Sequence, residues 1–298
     1  MTITWRGVMP AITTAFDAKL QVDHAFVAKH ASWLVDNGCT GIVALGSLGE
    51  GATLTFSEKL AVLSTIVKEL NGRVPVVAGI SALSTTEAVN LAKGAADAGC
   101  SGLMVLPPYV YLGDWRETKA HVAAILNATR LSCMLYNNPI AYTVDFIPEQ
   151  VKELATEHSN LNAIKESSAD VRRIAALRLL MDRKFSLMVG VDDAIVEAIN
   201  MGAVGWVAGL VNAFPKESVA LFDLASRGQK EKAFELYKWF LPLLRMDTVP
   251  KFVQLIKLVQ EEVGMGNSRV RPPRLTLEGA ELALAIETIE TALANPIT

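Results

Sequence analysis

The sequence predicts an α/β fold: a (β/α)8 barrel with a C-terminal helical appendix. Three observations lead there. Short Val/Ile/Leu-rich runs recur eight times along the 298 residues. Longer stretches with apolar residues at helical spacing lie between them. No glycine-rich dinucleotide fingerprint follows any run, which disfavours a doubly wound open sheet.

The runs are GVMPAITTAF (7–16), CTGIVALGS (39–47), VPVVAGIS (74–81), GLMVLPP (102–108), SCMLYNN (132–138), LNAIKES (161–167), SLMVGVD (186–192) and VGWVAGL (204–210). Most hold four to eight apolar residues, as parallel strands covered on both faces require. FSEKLAVLSTIVKEL (56–70) and DVRRIAALRLLM (170–181) show helical spacing. Thr55 or Ser57 offers an N-cap to the first of these. Ser84, with Glu87 three residues on, reads as a capping box for the next helix. Gly38, Gly72 and Gly99 stand where helices should stop. Eight strand–helix units therefore occupy residues 1–228, the barrel. Residues 229–298 carry only helical patterns, such as EKAFELYKWFLPLLRM and LEGAELALAIETIETAL, and read as helices packed on the barrel.

Composition narrows the function. With 51% hydrophobic and 20% charged residues the chain has a sizeable core, and its net charge of −3, without any Lys/Arg block, argues against a nucleic-acid or anionic-membrane partner. The start, MTITWRGVMPAITT, lacks the basic and apolar regions of a signal peptide, and no apolar run approaches the ~18 residues of a membrane span. Cys39, Cys100 and Cys133 are odd in number and lie in apolar sequence, as expected of reduced, buried thiols in a cytoplasmic protein. His24, His30, His121 and His158 fall in predicted helices without metal-ligand spacing. No GxSxG, CxxC or Walker motif occurs.

Active sites of such barrels gather at the C-terminal ends of the strands. There the chain carries GSLGE (46–50), PPYVY, YNNP, KESS and GVDD. Side chains alternate along a strand, so Lys165 shares a face with Leu161 and Ala163, and Tyr136 with Met134 and Ser132. Strands five and six are neighbours, so both tips can enter one barrel mouth. An amine beside a phenol suits carbonyl chemistry: the amine attacks a ketone or imine carbon and the phenol shuttles protons. An ordinary lysine has a pKa of about 10.4, and freeing its amine at pH 7 costs roughly 4.6 kcal/mol. A dehydrated site lowers that cost by penalising the ammonium. The alternative is a solvated strand-end lysine. Glu166 points to the opposite face and should not pin Lys165 as an ion pair. GSLGE brackets consecutive amides between glycines, a nest for a carboxylate or simply a turn. Asp192 and Asp193 after Gly190 read as a helix N-cap rather than metal ligands. Trp206 reads as core.

In order and spacing, GSLGE, YNNP, AIKESS, GVDD and GAVGWVAGLVN resemble the lysine Schiff-base lyase family that includes dihydrodipicolinate synthase and N-acetylneuraminate lyase, over nearly the whole chain. The resemblance implies a (β/α)8 homotetramer with no metal or organic cofactor and a small-molecule partner, a 2-oxo acid or cyclic imine carboxylate. It implies an imine on Lys165, proton shuttling by Tyr136, and a substrate carboxylate held around Ser47 and Leu48. Tyr109 matches the relay tyrosine that a neighbouring subunit usually contributes, Val207 a pocket-lining apolar residue, and Gly190 and Asp192 substrate-side positions. Two departures narrow the reading. Dihydrodipicolinate synthase has adjacent threonines where Ser47 and Leu48 stand, and an arginine where Ala141 stands. Together with VRPPR, the motifs most resemble bacterial Δ1-pyrroline-4-hydroxy-2-carboxylate deaminases of hydroxyproline degradation. An aldolase, dehydratase or synthase acting on another 2-oxo acid, and a barrel that binds without turnover, are the alternatives.

Overall fold

The computed structural model describes residues 3–109 and 111–296; Met1, Thr2, Val110 of the PPYVY tip, Ile297 and Thr298 lie outside the described residues. All eight expected strands form: β1 (Gly7–Pro10), β2 (Ile42–Ala44), β3 (Val76–Ile80), β4 (Gly102–Val105), β5 (Ser132–Asn137), β6 (Leu161–Glu166), β7 (Ser186–Val189) and β8 (Gly205–Ala208). They are parallel and follow one another around a single sheet, with β1 hydrogen-bonded to β8. A bridge from Ala11 to Val43 brings the first and second strands together, so the barrel is nearly closed. The ladders are shorter than the apolar runs. Past the ladders, the Ala11, Ile12 and Leu106 amides still reach Ala208, Val43 and Ile80, while Leu210 is buried in a 3-10 turn at the barrel mouth, where its apolarity reflects burial without strand pairing.

The covering helices are α1 (His24–Asp36), α2 (Phe56–Leu70), α3 (Thr85–Asp97), α4 (Trp115–Asn127), the one-turn α5 (Pro139–Tyr142), α6 (Pro148–Glu157), α7 (Arg172–Leu180), α8 (Ile195–Asn200) and α9 (Pro215–Ser226). Helix α2 spans the expected residues, and Thr55, rather than Ser57, closes a reciprocal capping box with Glu58. Ser84 caps α3 through the Glu87 amide, while the return bond from Glu87 is not formed. Gly38, Gly72 and Gly99 all take left-handed φ just past helix ends. His158 is the C-cap of α6 and not inside a helix. No helix among the described residues is long and apolar enough to cross a membrane.

The C-terminal region forms α10 (Lys230–Leu244), α11 (Phe252–Glu262) and α12 (Gly279–Ala294). It does more than pack against the outside. From α11, Lys257 reaches the mouth and places its Nζ 2.6 Å from Glu50 Oε1, with both side chains shut off from solvent. The Arg271 amide donates to Glu50 Oε2 at 3.0 Å, and the Arg271 guanidinium pairs with Glu58 of α2 at 2.7 Å. Lys257 and Arg271 both lie against the Phe16 ring, 4.4 and 4.6 Å from its centroid. Gln260 accepts from the Thr13 hydroxyl at 2.8 Å. His30 Nε2 donates to the Asn212 carbonyl at 2.9 Å, and burial pushes its imidazole down to about 4.

Removing one partner of a buried pair leaves the other charge uncompensated, at a cost of about 3–5 kcal/mol. Lys257→Met is therefore expected to lower the urea midpoint by that equivalent, and adding Glu50→Gln to it should recover part of the loss. A second expectation concerns acid. His30 stays neutral in the folded protein and charges at its ordinary pKa when unfolded, so its contribution is intact above about pH 6.5 and is lost as pH falls toward about 4. Urea midpoints at pH 7 and pH 4.5 should diverge more for the wild type than for His30→Gln.

Candidate active site

The β5–β6 register sets Tyr136 directly opposite Lys165. Both are buried, and Lys165 Nζ lies over the Tyr136 ring, 4.4 Å from its centroid. No carboxylate forms an ion pair with Lys165 among the described residues. Glu166 faces the other way, as alternation requires. It accepts from Asn137 Nδ2 at 3.0 Å and the Ser168 amide at 2.7 Å, and burial raises its carboxyl above the ordinary range. Just past the adjoining strand β7, a Cβ at Gly190 would collide with Lys165 Cε and Ser167 Oγ. Glycine there gives the lysine side chain its room.

The hydroxyls around the amine are positioned by a short segment. Asn138 caps α5 by accepting from the Ala141 amide, and its Nδ2 donates to the Tyr136 hydroxyl, both at 3.0 Å. Tyr142 ends α5, and its hydroxyl shares a short hydrogen bond with Ser47 Oγ. Its ring stands edge-on to Tyr136, centroids 5.9 Å apart, and tilted against Tyr109 at 5.7 Å. Burial, then the neighbouring Tyr136, raises the Tyr142 phenol above its ordinary range. Within the chain the Tyr109 hydroxyl hydrogen-bonds Ser81 Oγ at 3.1 Å. Sequence reasoning passed over Tyr142 and Asn138; the signal was available in YNNPIAY, where asparagine caps a proline-started turn and places tyrosine at its end.

Ser47 and Leu48 lie in a turn framed by left-handed Leu45 and Glu50, φ 65° and 52°. Such a conformation is costly for residues with a Cβ and persists where the surroundings hold it. The Glu50 amide donates back to the Ser47 carbonyl, while the Ser47 and Leu48 amides donate to nothing among the described residues. They suit an incoming carboxylate.

Asp192 departs from its expected role. It caps no helix of its own; its fully buried carboxylate accepts from Trp206 Nε1 at 3.0 Å and from the Gly209 and Leu210 amides at 3.1 and 2.7 Å. It thus caps the 3-10 turn that follows β8, because that turn's free amides are its neighbours. Burial pushes its carboxyl up to about 6. Asp193 is no cap either and pairs with Arg245 at 3.6 Å. Trp206 is core, as expected, and Val207, one residue on, is buried on the other face of β8. Ala141 is exposed on α5. Arg274, however, brings a guanidinium to this end of the mouth. It lies 3.9 Å from Glu50 and exerts its charge on Tyr142. No group of three or more His, Cys, Asp or Glu is placed to hold a metal among the described residues. Cys39, Cys100 and Cys133 are buried and unpaired, and burial raises each thiol to about 12.

An unpaired amine beside a phenol, a serine–tyrosine hydroxyl pair and two free amides suit nucleophilic attack on the carbonyl or imine carbon of a carboxylated substrate. A family model described as the dihydrodipicolinate synthetase family matches residues 4–292. The chain belongs to that family. A 4-hydroxy-tetrahydrodipicolinate synthase of Methanococcus maripaludis is 32% identical over 288 residues, covering 95% of this chain and 98% of the relative. One from Staphylococcus haemolyticus is 31% identical and covers 96% of each. Among solved structures, a dihydrodipicolinate synthase from Bacillus anthracis superposes with a TM-score of 0.93 at 28% identity, covering 97% of this chain and 99% of that one. A prophage protein of the same family from E. coli K12, in complex with pyruvate, superposes with a TM-score of 0.91 at 26% identity, covering 97% and 98%.

Gly190→Ala tests the geometry. The added methyl displaces Lys165, and displacement of about 1 Å is enough to lower covalent chemistry by about 10²-fold. Borohydride trapping of Lys165 by pyruvate should fall by that order, while the thermal midpoint reports only the milder cost of overpacking, about 1–3 kcal/mol.

Proposed function

We propose that this family member is a Schiff-base deaminase converting Δ1-pyrroline-4-hydroxy-2-carboxylate to 2-oxoglutarate semialdehyde and ammonia. The observation that carries the imine chemistry is the unpaired Lys165 Nζ beside Tyr136. The choice of substrate rests on the motif combination, on Leu48 in place of a second hydroxyl, and on Ala141.

In this reading Lys165 adds to the ring C=N at the carbon bearing the carboxylate. The ring opens into a lysine imine with a free amine. The substrate carboxylate takes the Ser47 and Leu48 amides. Tyr136, steadied by Asn138, removes a proton from C3, and the electron pair passes through the enamine to expel the 4-hydroxyl as water. Tautomerisation and hydrolysis then release ammonia and the keto-semialdehyde. Ser47 and Tyr142 form a hydroxyl pair through which protons pass at the mouth, and Tyr109 supports it by packing on Tyr142. No metal or organic cofactor enters. The three buried thiols favour a cytoplasmic location, and the resemblance favours a homotetramer.

A second reading is synthesis from pyruvate and aspartate semialdehyde. The names of the relatives favour it, and Arg274 supplies a guanidinium that could meet a second carboxylate. In the fold that guanidinium already faces Glu50, which weakens this alternative.

One purified protein separates the two. The expected result is ammonia release from the hydroxylated pyrroline and little condensation of pyruvate with aspartate semialdehyde. Robust condensation without ammonia would promote the synthase. Lys165→Ala should fold normally and lose essentially all turnover, since no other group supplies the covalent step. Tyr136→Phe should retain trapping of Lys165 while kcat falls by about 10²–10⁴.

A further inference from the structure

Asp247 takes no part in the chemistry above, yet it stands at the barrel mouth. It ends the 3-10 turn Arg245–Asp247 that follows α10. Its Oδ1 is shut off from solvent without a hydrogen-bond partner, and Ser167 Oγ is the other such side-chain atom among the described residues. Native interiors leave few such atoms, and each has a reason. Both of these stand where a glycine leaves room. Ser167 Oγ lies with the Lys165 side chain in the space over Gly190, and a Cβ on Gly209 would collide with the Asp247 carboxyl. Gly209 also donates its amide to Asp192, so the two carboxyls flank one residue. The charges that bear on Asp247 are those of Asp192, Lys165 and Asp193. Burial, then Asp192, holds its carboxyl well above the ordinary range, against the pull of Lys165. A carboxyl kept neutral is an O–H donor.

We infer that Asp247 is the acid that protonates the substrate's departing hydroxyl. This rests on the Lys165 imine reading. With the C3 proton on Tyr136, the enamine pair forms the C3–C4 double bond and the C4–O bond breaks. Its electrons leave with oxygen, which takes the Asp247 proton and departs as water. Asp247, now a carboxylate, is reset by the proton that leaves C5 during tautomerisation, while Tyr136 returns its own to C3. No oxidant or reductant is required.

Asp247→Asn keeps the size and removes the proton. On the 4-hydroxy substrate kcat should fall by about 10²–10⁴, with KM and pyruvate trapping at Lys165 unchanged. The analogue with fluorine in place of that hydroxyl expels fluoride, which needs no proton, so the variant's deficit should shrink to less than about tenfold. Equal deficits on both substrates, or full activity on the hydroxyl substrate, would overturn the assignment and leave the deaminase reading standing. A wild type that traps pyruvate but releases no ammonia would overturn both. Should Asp247→Asn fail to fold, Asp247→Ser removes the same proton and is judged on the same pair of substrates.

Discussion

The buried pair between Glu50 and Lys257 joins two parts of the chain that are 207 residues apart, and the site depends on it. Glu50 closes the turn that displays the Ser47 and Leu48 amides, and its φ is left-handed. Lys257 belongs to α11, so the C-terminal helices hold this turn in place. Desolvating two charges is costly, and the return comes only with full satisfaction of their hydrogen bonds. Here the second carboxylate oxygen receives the Arg271 amide, and Lys257 Nζ also donates to the Arg269 carbonyl at 2.6 Å. A strained turn is affordable when the group that ends it is held from several sides.

That arrangement explains why part of the molecule was legible in its sequence. The eight strands, helix α2 and the core role of Trp206 follow from period and capping, which are local. The meeting of Lys165 and Tyr136 follows from alternation plus the neighbour relation of consecutive strands. Strand ends were overestimated at residues such as Leu210 because hydrophobicity reports burial, and the loops of the mouth are buried too. Tyr142 on Ser47 joins residues 95 apart. Asp192 on the β8 turn depends on which free amides lie beside it, and Asp247 over Gly209 depends on how a C-terminal turn folds back. None of these has a periodic signature.

A second theme is that the hydroxyl cluster is assembled within one chain. Asn138 serves Tyr136 and α5 together, α5 delivers Tyr142, and Tyr142 reaches Ser47 at the end of β2. The one-turn helix thus couples the phenol beside the amine to the turn suited to a carboxylate. Tyr109 packs against the same cluster while its own hydroxyl stays with Ser81.

The buried thiols acquire a meaning once the chemistry involves aldehydes. A thiolate adds readily to an aldehyde carbon, so a barrel that releases a semialdehyde would be exposed to capture by its own product. With burial raising each thiol to about 12, the thiolate form is scarce at pH 7. Cys133, three residues before Tyr136 on the same strand, is fully buried and directs its Sγ to the Leu131 carbonyl. On the proposed reading the lysine is left as the nucleophile that an electrophilic product would meet, and its adducts are hydrolysable. Tolerance of a reactive product would in this way be a property of what the core conceals.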